Sequence, residues 1–322
     1  MIKEANVKVD GLTVIAGEND TGKSTLGRAY YYEVKKHLEE KVTKVQVKKN
    51  KDNMLLGTLL GFGLSLLAQP IVATASEYLL NNDEIIKKFD KNIKLKLSKD
   101  EKLVNSVIIE TPYSLNNANY IKTTQLLANQ RGLNYTLGDH IIDLILQMSQ
   151  TPSRNINNIY ENISNIIDGK IYYDSTRDDF FYQKDSIKKE LDMNSTATGI
   201  KMFGFLQILL LNGTIKEGTV LILDEPEVHL HPKWQLKYAQ VIVELVKKGI
   251  KVLITSHSPY MIEALQRYGK KSKIDMDFYL AENGIIDKID NNNSATLSKI
   301  FEKLSEPFDI FDEMDSETLR NG

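Results

Sequence analysis

The run Gly17-Glu18-Asn19-Asp20-Thr21-Gly22-Lys23-Ser24 fits the pattern G-x-x-x-x-G-K-[ST] and lies between two different kinds of chain. Before it, Leu12-Thr13-Val14-Ile15-Ala16 is a continuous apolar run, the mark of a strand buried on both faces. After it, Thr25 onward reads as a helix start. A glycine-rich turn between strand and helix gathers backbone N–H groups over a helix N-terminus, where the dipole favours an anion. In that frame Lys23 reaches the β- and γ-phosphates and the Ser24 hydroxyl binds Mg²⁺. The expected ligand is a nucleoside triphosphate.

A second segment bears on the fate of that nucleotide. Thr219-Val220-Leu221-Ile222-Leu223-Asp224-Glu225 is an apolar run ending in two carboxylates. It reads as a central parallel strand, and ligands of open α/β sheets sit at the carboxyl ends of such strands. Asp224 and Glu225 are therefore expected beside the Lys23 loop, Asp224 in the Mg²⁺ shell and Glu225 as the base that polarises water. The implied reaction is hydrolysis.

The stretch from Lys23 to Asp224 is long for a small GTPase or a ring-forming ATPase. Asp224-Glu225-Pro226-Glu227 leads into Val228-His229-Leu230-His231-Pro232, and Lys251-Val252-Leu253-Ile254-Thr255 ends in Ser256-His257-Ser258-Pro259. Here the chain resembles the ABC-type ATPases, specifically the SMC-like and OLD-like AAA-family ATPases of bacterial anti-phage defence and toxin–antitoxin systems. The resemblance implies ATP as the nucleotide, Mg²⁺ as its ion, and His257 as a switch histidine at the γ-phosphate. It places His231-Pro232 where relatives meet the opposite subunit. It also implies a homodimer closed around ATP, with one subunit's Gly17–Thr25 loop facing the other's signature element.

The segment best matching that signature is Asn194-Ser195-Thr196-Ala197-Thr198-Gly199-Ile200-Lys201, ahead of an apolar helix from Met202 to Leu211. By resemblance Thr198 takes the serine role and Gly199 allows close approach to phosphate. A helix N-cap at Thr196 or Thr198 is a compatible reading. The magnesium-sensing glutamine of the family has no clear counterpart. Val107-Ile108-Ile109 leads into Glu110-Thr111-Pro112-Tyr113, with Gln125 and Gln130 downstream, and the choice among Glu110, Gln125 and Gln130 stays open.

Bulk properties narrow the remaining classes. A formal charge of −2 with 26% charged residues supplies no global field toward nucleic acid. The absence of cysteine removes disulfide and thiolate-metal chemistry and suits a reducing cytoplasm. Met1-Ile2-Lys3-Glu4 enters the first strand region with no signal-peptide pattern. His229 and His231 have a spacing compatible with metal binding, but no further ligand cluster accompanies them. Lysines between residues 33 and 51 are interspersed with Glu33, Glu39 and Glu40, which reads as a solvated face before a nucleic-acid strip.

Residues 54–75 carry no charge over about 22 positions, a length that would span a bilayer. Pro70, Gln69 and the lack of a returning apolar run favour a buried helical element or a partner-docking face, so no membrane span is expected.

The expected fold class is α/β: a P-loop NTPase of ABC-ATPase type, with a mixed or parallel sheet core flanked by helices and a helical insertion. Val7–Val9 and Leu12–Ala16 form an opening hairpin, followed by a helix from Lys23 to about Val42. Residues 1–42 and 106–305 make a two-lobed core, 43–105 a mainly helical insertion with a strand near 92–97, and 306–322 a tail. A hairpin over 171–182 and closing strands at 277–281 and 285–289 complete the pattern. No nuclease domain and no coiled-coil arm are legible, so the effector, a nuclease or toxin, is expected to be a separate polypeptide or the chain's own inserted stretch. The alternative is a DNA-engaging repair-type ATPase stimulated by nucleic acid.

Overall fold

A computed structural model of the chain describes residues 2–54, 93–96, 103–131, 139–153 and 158–321. The apolar segment 54–75 therefore lies, from residue 55 on, outside the described residues.

The strands are β1 (Glu4–Lys8), β2 (Leu12–Ala16), β3 (Ile93–Lys96), β4 (Asn105–Ile109), β5 (Gly169–Asp174), β6 (Asp179–Lys184), β7 (Lys189–Asp192), β8 (Thr219–Asp224), β9 (Lys251–Ser256), β10 (Met276–Glu282) and β11 (Ile285–Asp287). The helices are α1 (Lys23–Met54), α2 (Tyr113–Asn116), α3 (Ala118–Gln130), α4 (Asp139–Met148), α5 (Asn158–Ile167), α6 (Thr198–Leu211), α7 (Pro232–Lys247), α8 (Pro259–Ser272) and α9 (Ser294–Asn321), with a 3₁₀ turn over Pro226–His229.

Eight strands form one sheet in the order β3-β1-β11-β10-β2-β9-β8-β4. Every pairing in it is parallel except β10 with β11. The sheet is buried at β2, β9 and β8, apart from the half-buried Asp224 at the end of β8, and alternate residues of these strands sort to opposite faces. Ile15, Ile108, Val220, Ile222 and Leu253 pack with Leu26, Tyr30, Tyr31 and Val34 of α1. Val14, Val107, Leu221, Leu223, Val252 and Ile254 face the larger core built by α6, α7 and α8. Helices on both faces explain why these strands are unbroken apolar runs and not alternating ones. The mixed α/β fold class is as expected, with the three expected apolar strands side by side as β2, β9 and β8.

The chain departs from expectation at its start. β1 and β2 do not pair as a hairpin: β10 and β11 lie between them in the sheet, and β1 pairs instead with β11 and β3. The crossing occurs at Gly11, whose φ is 63°, with Leu12 N–H donating to Asp275 O rather than back to β1. Helix α1 runs to Met54 instead of stopping near Val42. No glycine or proline occurs between Arg28 and Met54 to end it. β3, within the stretch read as an insertion, is the edge strand of the main sheet.

The expected 171–182 hairpin is present as β5 and β6, and β7 extends it to a three-stranded antiparallel sheet. Ile171, Phe180 and Tyr182 turn inward onto α6. α6 is buried around nearly its whole circumference. Its one buried amide, Gln207, is fully used: Oε1 accepts from Ile171 N, and Nε2 donates to Ser164 Oγ and Gly169 O.

Candidate functional site

The carboxyl ends of β2, β8 and β9 lie side by side in register, Ala16 opposite Ser256 and Asp224 opposite Thr255. Three loops therefore leave the sheet at one pole: 17–22, 225–231 and 257–258. The first is shaped by backbone demands. A Cβ on Gly17 would lie 2.3 Å from the Ala281 carbonyl oxygen, and Gly22 has φ 92°. Asp20 also adopts a positive φ, 61°.

Lys23 opens α1 and is almost fully buried. Its Nζ donates to Gly17 O at 3.0 Å and Glu18 O at 2.6 Å, and sits 3.2 Å from Glu225 Oε1. Thr21 Oγ1 donates to Glu18 O, tying the loop's middle to its start. Ser24 and Thr25 follow Lys23 in the first turn of α1.

Asp224 ends β8, its Oδ1 accepting from Thr255 Oγ1 at 2.5 Å, with the Ser24 hydroxyl also acting on it. Burial pushes the Asp224 carboxyl upward, opposed by those two hydroxyls, with Glu110 and Glu225 adding like charge. A crowded, desolvated carboxylate beside a hydroxyl is the hard-oxygen environment that suits Mg²⁺, so Ser24 and Asp224 fit the ion as its protein ligands.

Glu225 takes the left-handed conformation at φ 45°, ψ 50°, and its N–H is held by Thr255 through both carbonyl and hydroxyl. Such a strained residue persists only where its surroundings fix it. Its carboxyl is held below the usual range by His257, with burial opposing and Lys23 assisting. His257 Nδ1 lies 3.5 Å from Glu225 Oε2 and 3.6 Å from Glu227 Oε1. Glu225 beside it raises the imidazole above its ordinary range, against the cost of burial.

Thus Gly17–Thr25, Asp224, Glu225 and His257 come together. Thr198 and Gly199 open α6, and Gly199 lies against Trp234 and against Leu230 and the His229 carbonyl of the 225–231 loop. The N-cap reading for Thr196 or Thr198 does not hold. Ala197 is the N-cap with no side-chain bond, and Thr196 Oγ1 donates to Asp192 O instead. Lys201, one turn into α6, is buried with its Nζ donating to Asn116 Oδ1 at 2.6 Å.

Glu110 lies at the end of β4 next to β8. Its Oε1 accepts from Arg28 Nε at 2.5 Å, and its Oε2 is 2.8 Å from His140 Nε2. Burial pushes this carboxyl up, yet His140 and Arg28 together bring it below the usual range. Gln125 and Gln130 sit on α3, beyond the Tyr113–Asn116 helix. His229 packs edge-on against Tyr113, ring centroids 6.0 Å apart, and His231 Nδ1 caps α7 by accepting from Lys233 N. The two histidines are used separately.

Glu227 was not singled out by sequence reasoning. It is buried, with Oε1 accepting from Ser256 Oγ, His257 N and Ser258 N. Its only sequence signal was an acid inside a segment of turn residues.

Residues 87–263, more than half the chain, match the family described as "AAA domain, putative AbiEii toxin, Type IV TA system". The chain belongs to this AAA-domain family. The matched range takes in Asp224, Glu225 and His257 and starts downstream of the Lys23 loop. Among curated proteins, the Septu protein PtuA of Bacillus thuringiensis is 31% identical over 122 residues, covering 31% of this chain and 28% of that protein. The chain thus spans little more than a quarter of that relative's length.

Among solved structures, the chain resembles cbiO1 from Clostridium perfringens, part of the ABC transporter complex cbiONQ, at 16% identity and a TM-score of 0.39, covering 96% and 89% of the two chains. It also resembles the SMC head domain from Thermotoga maritima, at 16% identity and a TM-score of 0.29, covering 40% and 44%. Among the described residues, no helix is long and apolar enough to cross a membrane.

Proposed function

We propose that this protein is a cytoplasmic ATPase that binds Mg·ATP, hydrolyses it, and through ATP-dependent dimerisation gates a separate effector, a nuclease or toxin, in anti-phage defence. The observation that carries the hydrolytic part is the convergence of Lys23, Ser24, Asp224, Glu225 and His257 at one pole of the sheet. Support for the defence part is the family and the Septu relative. The nucleotide-binding core takes in residues 1–42 and 106–305, with 43–105 as the inserted stretch that lends β3 to the sheet edge.

In this reading Gly17–Thr25 wraps the phosphate chain, with backbone N–H groups and the α1 N-terminus supplying positive potential. Lys23 exchanges its carbonyl partners for phosphate oxygens. Mg²⁺ held by Ser24 and Asp224 would supply charge neutralisation on the β- and γ-oxygens. Glu225, a carboxylate at neutral pH beside His257 and Lys23, accepts the proton of a water. That water's oxygen bonds the γ-phosphorus as the bond to the bridging oxygen breaks and ADP leaves. His257 steadies the anionic γ-phosphate and shares the Glu225 carboxylate.

The second subunit's Thr198–Gly199 is the proposed cap over the γ-phosphate, at the uncapped N-terminus of α6. Light scattering of the full chain with Mg²⁺ alone and with Mg²⁺ plus ATP tests this: doubling of mass with ATP supports the sandwich. Saturation with ATP at unchanged monomer mass contradicts it.

A further inference from the structure

Glu227 sits on the 3₁₀ turn that follows Glu225, with its side chain 2% exposed. One carboxylate oxygen, Oε1, gathers three donors from a single loop: Ser256 Oγ at 2.6 Å, His257 N at 2.8 Å and Ser258 N at 3.3 Å. The same oxygen is 3.6 Å from His257 Nδ1. The other oxygen, Oε2, is buried without a hydrogen-bond partner. A buried carboxyl oxygen without a hydrogen bond is costly to keep, and such a group in a folded protein calls for an explanation.

Gln235 reinforces the junction. Its Nε2 donates to Leu230 O at 3.0 Å and its Oε1 accepts from Ser258 Oγ at 2.7 Å. The 226–231 segment and the 256–258 loop are thus joined by side-chain hydrogen bonds from both of their ends.

We infer that Glu227 is the positioning residue for His257: its Oε1 fixes the backbone of the 256–258 loop so that the His257 ring is held beside Glu225, and it thereby makes the 226–231 segment and the hydrolytic histidine move as one body. This rests on the proposed ATPase reading for its catalytic consequence, but not for the positioning itself. Glu227 touches neither Lys23 nor Asp224; its effect on hydrolysis passes through His257. A displacement of the 226–231 segment by a second subunit would pull on the three donors of Oε1, and so reach His257 without altering the phosphate loop.

The test uses the full chain and the variants E227A, E227Q, H257A and E227A/H257A. In E227A, kcat for ATP falls at least ~10-fold while KM and equilibrium ATP affinity change less than ~3-fold, because misplacing a reacting group costs rate without removing the phosphate cradle. E227Q, whose amide oxygen can accept the same three hydrogen bonds, recovers most of that loss. In the H257A background E227A lowers kcat by less than ~2-fold further, since both changes disable one unit.

At one fixed pH, the His257 ring resonance, identified by its loss in H257A, shifts in E227A and returns toward its native position in E227Q. An unshifted ring signal in E227A, or additive losses in the double variant, overturns the inference. If E227A does not fold, S256A and E227Q are compared with the native chain, and an unshifted His257 ring in S256A overturns it equally. If the native chain hydrolyses no ATP, the ring signal still decides on Glu227 while the proposed function fails.

Discussion

The Lys23 ammonium and the Glu225 carboxylate, contributed by segments about 200 residues apart in the chain, lie 3.2 Å apart at the carboxyl edge of the sheet. Neither residue needs the other for its local structure. Lys23 starts α1 after the glycine-rich turn, and Glu225 ends the run of β8 in a left-handed conformation. They meet because β9 lies between β2 and β8 in a parallel sheet, which brings strand ends of like polarity to one edge. A buried cation beside a strained carboxylate is an arrangement that functional sites retain at a cost in stability.

Replacing Lys23 with alanine removes the cation that the phosphates are proposed to meet. Charged hydrogen bonds contribute about 1.5–3 kcal/mol each, so loss of two phosphate contacts lowers ATP affinity by more than ~100-fold. Equilibrium titration with a fluorescent ATP analogue measures this. Native affinity in the K23A chain removes the loop from the account.

His257 carries a pH signature. Glu225 beside it raises its pKa above the ordinary imidazole value of about 6.5, so protonated His257 is favoured in the folded state. A group whose folded pKa is raised adds stability that is fully present below the unfolded value and is lost as pH rises through the folded one. An NMR titration of the ring gives a midpoint above 6.5, and E225Q moves it down. The pH-dependent part of chain stability accordingly declines on the alkaline side of 6.5 in the native chain, and less so in E225Q.

At Gly17 the neighbour is backbone and cannot swing aside: an added Cβ would stand 2.3 Å from the Ala281 carbonyl oxygen of β10. The G17A chain therefore loses on the order of 1–3 kcal/mol of stability by forced displacement of the loop or of β10. Chemical denaturation reads the change in midpoint, and an unchanged midpoint shows that the loop shifts freely.

Much of this site was legible in the sequence because its parts are local. The Gly17–Ser24 spacing fixes a backbone shape, and the apolar runs ending at Ala16, Asp224 and Ser256 are strands that must be buried on both sides. What was not legible depends on contacts between remote segments. β1 and β2 look like a hairpin because they are short and adjacent, but β10 and β11 displace that pairing from the far end of the chain. α1 outran its expected end because no glycine or proline after Arg28 breaks the helix before Met54. Glu227 was passed over because one acid among turn residues has no periodicity; only the three donors converging on it reveal its place.

The central claim is that Glu225 is the base of a Mg·ATP hydrolysing site whose cradle is Lys23 and its loop. Substituting Glu225 with glutamine keeps the volume and removes the proton acceptor, so steady-state hydrolysis should fall ~100-fold or more, on the scale of a lost general base, while ATP binds as in the native chain. Hydrolysis in the E225Q chain at the native rate, with ATP bound equally well, would contradict it.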